Sequence, residues 1–421
     1  MAIETPEQTP YSYLIVGGGI HGTYIGNRLL RETSLNKSDL CICDPHEKLL
    51  AAFSEKAKQC GMKTLRSTYV QHVGAEPFDL ESFAEQHDRT DEIVDSVGYP
   101  PRPTRSLFLD HAQSVIERSG LNQCHRSEPI VDIEANGELL VASTPTTTIA
   151  AENCVLALGP PTTPAVPPWA EVGSCSNHLD DRIVHVWDED QPPVHSDTHV
   201  VVVGGGITAA QSALKAIRDG ATVTLLSRHE LREANTEAAP PWMNWQRIEK
   251  QLHSLPAGSQ GRYEVIHRER RDGTIPPHLL DRMGQAIDAD RLTIKYGEVE
   301  SATSAGECIR LQQTTGTMLT ADCVLLATGT EATYAHPLCD RVASTLSLAR
   351  GYRGMPILND RTLAWETTDQ TESNIYLSGY LAEGSVGPLA RNIVGARRVT
   401  DRLITPKSRR EERLRAPQAR S

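Results

Sequence analysis

Apolar residues run without interruption from Tyr13 to Val16, and the run ends on three glycines that open a stretch of helical character, in YLIVGGGIHGTYIG, residues 13–26. The same order returns in HVVVVGGGITAAQSA, residues 199–213. A short apolar run, bounded by glycine and followed by a helix-like pattern, predicts a buried strand, a tight turn and a helix. Between the two stretches lies a polar segment, 66–110, rich in charges and prolines, and then RSEPIVDIEANGELLVASTPTTTIAAENCVLALGPP. Its short alternating runs predict a β-meander closed by a buried strand with a glycine turn at Gly159. The proline-rich stretch 160–168 is unsuited to regular structure and reads as a crossing between domains. A second cycle runs from Gly204 through a long insertion, 230–290, to TADCVLLATGTEATYAHP, which mirrors CVLALGPP. The closing segment, NIYLSGYLAEGSVGPLARNIVGARRVTDRL, predicts a strand, a turn at Gly379, and a helix whose start carries Gly387 and Pro388.

The glycine turns are where chemistry enters. Gly17, Gly19 and Gly22 have the GxGxxG spacing, and Gly204, Gly206 and Ala209 repeat it with alanine where only close helix–strand packing is required. In such a turn the first N–H groups of the helix point at a pyrophosphate. The expected fold is therefore α/β, with two Rossmann-like dinucleotide-binding domains and β-meanders, of the three-layer ββα type. The first domain spans 10–168 and resumes at 336–405, the second spans 190–335 with its insertion, and 406–421 is a basic tail. The end of the next strand suggests what each turn holds. LCICDP ends in Asp44, placed to accept hydrogen bonds from ribose hydroxyls, which suits FAD. TVTLLSRHELR has no acid there and offers Ser227 and Arg228, which suit the 2′-phosphate of NADPH. A turn-forming Asp-Pro and a solvated surface arginine are the bland alternatives for Asp44 and Arg228.

Length and charge narrow the function classes. The 421 residues leave room for two or three domains, and a net charge of -12 argues against a nucleic-acid partner. The terminal KSRREERLRAPQARS is an exception that reads as a frayed basic tail. No apolar stretch approaches the ~18 residues of a membrane helix, and MAIETPEQTP lacks the regions of a signal peptide. A cytoplasmic protein with no membrane partner is expected. Nine cysteines contain no CxxC pair for electron relay. Cys41 and Cys43 share one strand face and are expected to pack as small hydrophobes, while Cys175 and His178 lack a second ligand pair, so no metal site is expected.

These motifs together resemble the flavoproteins with two dinucleotide-binding domains, and within them the N-hydroxylating monooxygenases, which include lysine and ornithine N-hydroxylases. That family has a motif of the form Asp, three residues, Leu or Phe, Ala-Thr-Gly-Tyr, four residues, His or Pro. Here Asp322, Leu326, Ala327, Thr328 and Gly329 match, Thr330 replaces the Tyr, and His336 and Pro337 follow one place late. The Baeyer–Villiger signature is absent, with His178 or His185 as loose counterparts of its linker histidine. In LSGYLAEGS, Tyr380 stands where many reductases of this fold have the Asp of a Gly-Asp pair. The resemblance implies hydride transfer from NADPH to FAD, reaction of the reduced flavin with molecular oxygen, and oxygen delivery from a C4a-hydroperoxyflavin to a nucleophilic nitrogen or sulfur of a small metabolite.

Because the flavin carries such chemistry, no acid–base pair need show in the sequence. Arg66, Ser67, Gln71 and His72 fall where flavoproteins of this shape line the flavin, and Arg66, Gln71 and His72 are the candidates for the catalytic site. In the insertion, Arg268, Arg270 or Arg271 could hold a carboxylate, although an amphipathic helix packing Trp242 and Trp245 on the NADPH domain explains the pattern as well. An NADPH-dependent flavin reductase acting on a disulfide, quinone or protein partner is the alternative activity.

Overall fold

The computed structural model describes residues 9–96, 98–160, 163–170, 181–331 and 334–415. The apolar runs become central strands because both of their faces are covered: Leu14, Ile15, Val200, Val201 and Val202 are all 0% exposed. Around Tyr11–Val16 the first sheet takes the order Ala364–Glu366, Glu372–Leu377, Thr148–Leu156, Tyr11–Val16, Leu40–Asp44, His125–Ser127. All neighbours in it are parallel except the first pair. The hairpin of Asp132–Asn136 and Leu139–Ser143 joins it antiparallel along Thr148–Leu156. Around His199–Val203 the second sheet takes the order Leu292–Tyr296, Thr222–Ser227, His199–Val203, Cys323–Leu326, Ile183–His185, parallel throughout. A separate antiparallel meander, Val299–Ala305, Cys308–Gln313 and Met318–Ala321, packs beside it.

The duplication extends to single hydrogen bonds. Gly17 N–H donates to Cys43 O at 2.8 Å and Ala157 N–H to Val16 O at 2.9 Å. In the second unit Gly204 N–H donates to Leu226 O at 2.9 Å and Ala327 N–H to Val203 O at 2.8 Å. Each glycine turn is thus clamped between the strand that follows it and a strand that arrives much later in the chain.

Three expectations change. Ile183–His185 belongs to the second sheet, so that unit begins before residue 190. The insertion is split: Leu279, Met283 and Ala286 pack into the second core, whereas Trp242, Ile248, Leu252, Val265 and Ile266 belong to the first. The tryptophans therefore do not pack on the second unit. Buried polar bonds hold them to the first: Arg262 makes a bidentate pair with Asp360 at 2.7 and 2.6 Å, and Arg398 donates to Trp242 O at 2.7 Å. A helical period fixes that a face is buried but not which neighbour buries it. Finally, the helix Ile393–Arg415 continues into the segment expected as a frayed tail. Among the described residues no helix is long and apolar enough to cross a membrane. Cys175 and His178 lie outside the described residues.

Candidate functional site

Two of the three glycines of the first turn are required by the protein itself. Gly17 has φ 110°, and a Cβ on it would meet Ala157 O at 2.5 Å, while one on Gly22 would meet Gly17 O at 1.9 Å. A Cβ on Gly19 would meet nothing within 4 Å, so that position stays open to whatever approaches from outside. The helix Ile20–Glu32 starts there with no side-chain cap and no acid in its first turn. Its first N–H groups are left for an anion. Asp44 ends the neighbouring strand beside this turn: its Oδ2 accepts Gly18 N–H at 2.6 Å, and its Oδ1 accepts His46 N–H at 2.9 Å. His21 sits between Ser378 Oγ at 2.8 Å and Arg391 O at 3.2 Å. Burial pushes its imidazole down to about 4, so it is neutral at pH 7.

The second turn repeats this plan with one addition. Gly204 has φ 148°, and its Cβ would meet Ala327 O at 2.4 Å; Ala209 is fully buried against it. A Cβ on Gly206 would lie 3.3 Å from Gly273 Cα, so a turn of the insertion passes over the glycines. Ser227 is packed beneath Gly205 and donates its hydroxyl to His229 O at 2.7 Å, whereas Arg228 is exposed. Of that pair, Arg228 is the one free to reach a ligand. Gly329 closes the mirrored strand end, where Thr328 donates to Ala165 O at 2.7 Å and Ala165 N–H to Gly329 O at 3.0 Å. The 163–166 crossing is stitched there to the second unit.

Beside Ile20, the first residue of the helix on the first turn, opens a cavity of about 290 Å³. Its lining mixes apolar side chains, among them Ile20, Phe53, Met62, Leu65, Phe108 and Ile393, with the polar Arg66, Ser67, Glu237, Arg270, Asp272, Arg391 and Asn392. A flat heteroaromatic ring with a hydrogen-bonding edge suits such a mixed lining. Arg66 spans to the insertion, donating to Ala234 O at 3.0 Å and Thr274 Oγ1 at 2.7 Å, and burial pulls its pKa down. Arg270 and Arg391 both bind the buried carboxylate of Glu383.

The other residues singled out by sequence fall at varying distances from this cavity. Gln71 lines a narrow recess that adjoins it through Arg66, Ser67 and Asn392. His72 lines neither the recess nor the cavity, its Nδ1 accepting Gly74 N–H at 3.1 Å and its Nε2 donating to Pro77 O at 3.1 Å. With Asp79 and His111 it forms the one group of metal-ligand type found among the described residues. Arg118 already pairs with Asp79, which leaves a hydrogen-bonded network rather than a vacant ligand set. Gly159 has open space around it, and Gly379 lies against Leu158 O at the same strand ends. Tyr380 is buried in the core with its hydroxyl lacking a partner. Gly387 and Pro388 do not begin a helix: Gly387 caps the C-terminus of Glu383–Val386, Pro388 follows in a turn that lines the cavity, and the long helix starts at Ile393. Gly387 takes φ 90°, which suits glycine, and a Cβ on it would lie 3.4 Å from Ile248 and 3.6 Å from Trp242, a proximity to the insertion that sequence does not show.

Sequence reasoning missed Glu383, Arg391 and Asn392. A signal exists in the sequence: Glu383 is the one charge between Leu377 and Ala390, a run that the structure buries at every position. Arg268 is exposed and pairs with Glu269, while Arg270 holds the protein's own carboxylate.

Residues 14–161 match a family model described as FAD-NAD(P)-binding. No curated protein matches the sequence. Among solved structures, the chain is similar to the ornithine N-hydroxylase of Kutzneria sp. 744, with 17% identity over 96% of this chain and 100% of that one, at a TM-score of 0.72. It is similar to the L-lysine 6-monooxygenase of Pseudomonas syringae, with 17% identity over 95% and 99% of the two chains, at a TM-score of 0.68. A bacillithiol disulfide reductase of Bacillus cereus, 17% identical over 96% and 100%, superposes less closely, at 0.58. The fold is that of the flavoproteins with two dinucleotide-binding domains.

Proposed function

We propose that this chain is an FAD-dependent, NADPH-using monooxygenase acting on a nucleophilic nitrogen or sulfur of a small metabolite. The observation that carries this reading is the pair of matched glycine turns, one of them beside a cavity at Ile20 lined by both apolar and polar side chains. The resident group fits: Gly19 leaves room for a pyrophosphate, and Asp44 stands at the adjoining strand end. Bound there, a flavin supplies hydride acceptance and oxygen activation. The chain's own residues bind and enclose. The N–H groups at the start of Ile20–Glu32 would hold the pyrophosphate of FAD and those at the start of Ile207–Arg218 that of NADPH, and the exposed Arg228 would pair with its 2′-phosphate. The insertion, anchored by Arg262 to Asp360 and by Arg270 to Glu383, contributes Glu237, Arg270 and Asp272 to the lining of the cavity.

Two further points favour monooxygenation over disulfide reduction. None of the described cysteines lines the cavity, and all but Cys308 are buried. The structures that superpose better act on ornithine and lysine, so primary amines of amino acids are the first candidates. The decisive assay follows NADPH consumption together with hydroxylated product and hydrogen peroxide, across amines and thioethers. Product formed in proportion to NADPH supports the proposal; peroxide alone with every candidate, together with turnover of quinones or disulfides, assigns the reductase. In the same assay, wild type should prefer NADPH over NADH by about tenfold or more, and Arg228→Asp should erase the preference, as expected for loss of one charge-assisted contact to phosphate.

A further inference from the structure

Glu383 is 1% exposed, yet it gathers donors from three separate parts of the chain. Tyr334 donates its hydroxyl at 2.7 Å, Arg391 its Nε at 3.1 Å, and Arg270 its Nη2. Burial by itself favours the neutral acid, but the guanidinia of Arg270 and Arg391 and the Tyr334 hydroxyl outweigh it and hold the carboxyl below its usual range. Glu383 is therefore ionised at neutral pH.

Two of its three partners, Arg270 and Arg391, line the 290 Å³ cavity. The third cation of its lining, Arg66, is held by carbonyls and a hydroxyl. Two acids also line the cavity, but Asp272 is exposed and Glu237 half-buried, so water and salt screen them. Glu383 lies behind that lining, and its buried charge reaches the cavity through Arg270 and Arg391, which it holds. Charge beside an isoalloxazine alters how readily the ring accepts electrons, because the reduced ring is the more electron-rich form.

We propose that Glu383 and the arginines it holds set the reduction potential of the flavin in this cavity, the cations raising it and Glu383 holding it down. The inference rests on the flavin site proposed above. Glu383 acts through Arg270 and Arg391 and is a positioning residue; the sequence marks it as the one charge in an otherwise uncharged buried run.

The test is an anaerobic, dye-equilibrated titration of the FAD-loaded protein. Glu383→Gln keeps the volume and an acceptor for Tyr334 while removing the charge, and should move the equilibrium toward reduced flavin by about tenfold, about 30 mV for a two-electron couple. Arg391→Gln should move it the other way, by a smaller factor because Arg391 is exposed and screened. A Glu383→Gln holoenzyme whose potential is unchanged or lower overturns the inference. If that variant does not fold, an unchanged potential in Arg391→Gln overturns it instead. A wild-type chain that takes up no FAD overturns the flavin site and this inference with it, and is told apart by the missing flavin absorbance.

Discussion

At the scale of single residues, the glycine turns carry their requirement in the backbone. Gly17 and Gly204 adopt positive φ and each faces a carbonyl oxygen at a distance no Cβ tolerates. An alanine there incurs roughly 1–2 kcal/mol of backbone strain before any clash is counted. Because the turns belong to different sheets, the two substitutions should separate. Gly17→Ala should lose most of its FAD during purification, read as the ratio of flavin to protein absorbance. Gly204→Ala should keep its FAD but raise the KM for NADPH by about tenfold or more, which about 1.4 kcal/mol of lost binding would give. Loss of FAD from Gly204→Ala would show that the two turns do not serve separate ligands. These residues were legible in the sequence because the motif is local: strand, turn and helix lie within one short stretch, and each glycine answers to a neighbour a few residues away or to the strand end it abuts.

At the scale of elements, the insertion is what the chain's order conceals. Its helices Trp245–Ile248 and Gln260–Glu269 lie between segments of the second unit in sequence but are bound to the first in space. Trp242, 1% exposed, packs near Gly387, and His253 reaches Ser385 O at 2.8 Å. Truncating a buried tryptophan costs about 3–5 kcal/mol, while exposed positions stay within about 0.5 kcal/mol. Trp242→Ala should therefore lower unfolding stability by several kcal/mol in a urea titration and reduce FAD retention, because the turn at Gly387 and Pro388 loses its support. The neighbouring Met243→Ala, 39% exposed, serves as the control. Equal midpoints for the two variants would count against this packing. Sequence periodicity showed the amphipathic face of these helices and misassigned its partner, since the partner is fixed by contacts such as Arg262 with Asp360, residues far apart along the chain.

At the scale of the whole molecule, the two units meet through close side-chain contacts. Cys60 lies 3.3 Å from Gln211 Oε1, Gln59 donates to Asp188 O at 3.1 Å, and a Cβ on Gly61 would meet Lys215 Cβ at 2.6 Å. Acid should loosen the first unit. Burial pushes the imidazoles of His21 and His72 down to about 4, whereas an unfolded chain's histidines titrate near ~6.5. Between those values the unfolded state takes up protons that the native state refuses, so stability falls as pH falls from about 6.5 to 4, and is unaffected by these groups above it. The slope reaches up to roughly 1.4 kcal/mol per pH unit for each histidine. Thermal unfolding midpoints at pH 7, 6 and 5 should decline, and His72→Gln should flatten the decline; a midpoint independent of pH across that range would refute the neutral, buried state of these rings.

The sequence by itself determined the two βα units, their glycine turns, the position of Asp44 and the twin strand ends at Gly159 and Gly329, because each is a pattern with a period or a spacing that backbone geometry enforces locally. Only the tertiary structure decided which unit receives the insertion, that Ser227 spends its hydroxyl inside while Arg228 stays exposed, that His72 turns away from the cavity, and that Arg270, Tyr334 and Arg391 converge on Glu383. Those facts depend on which distant segments meet. A residue's type sets the bonds it can form, but its partner is chosen by the packing of the whole chain.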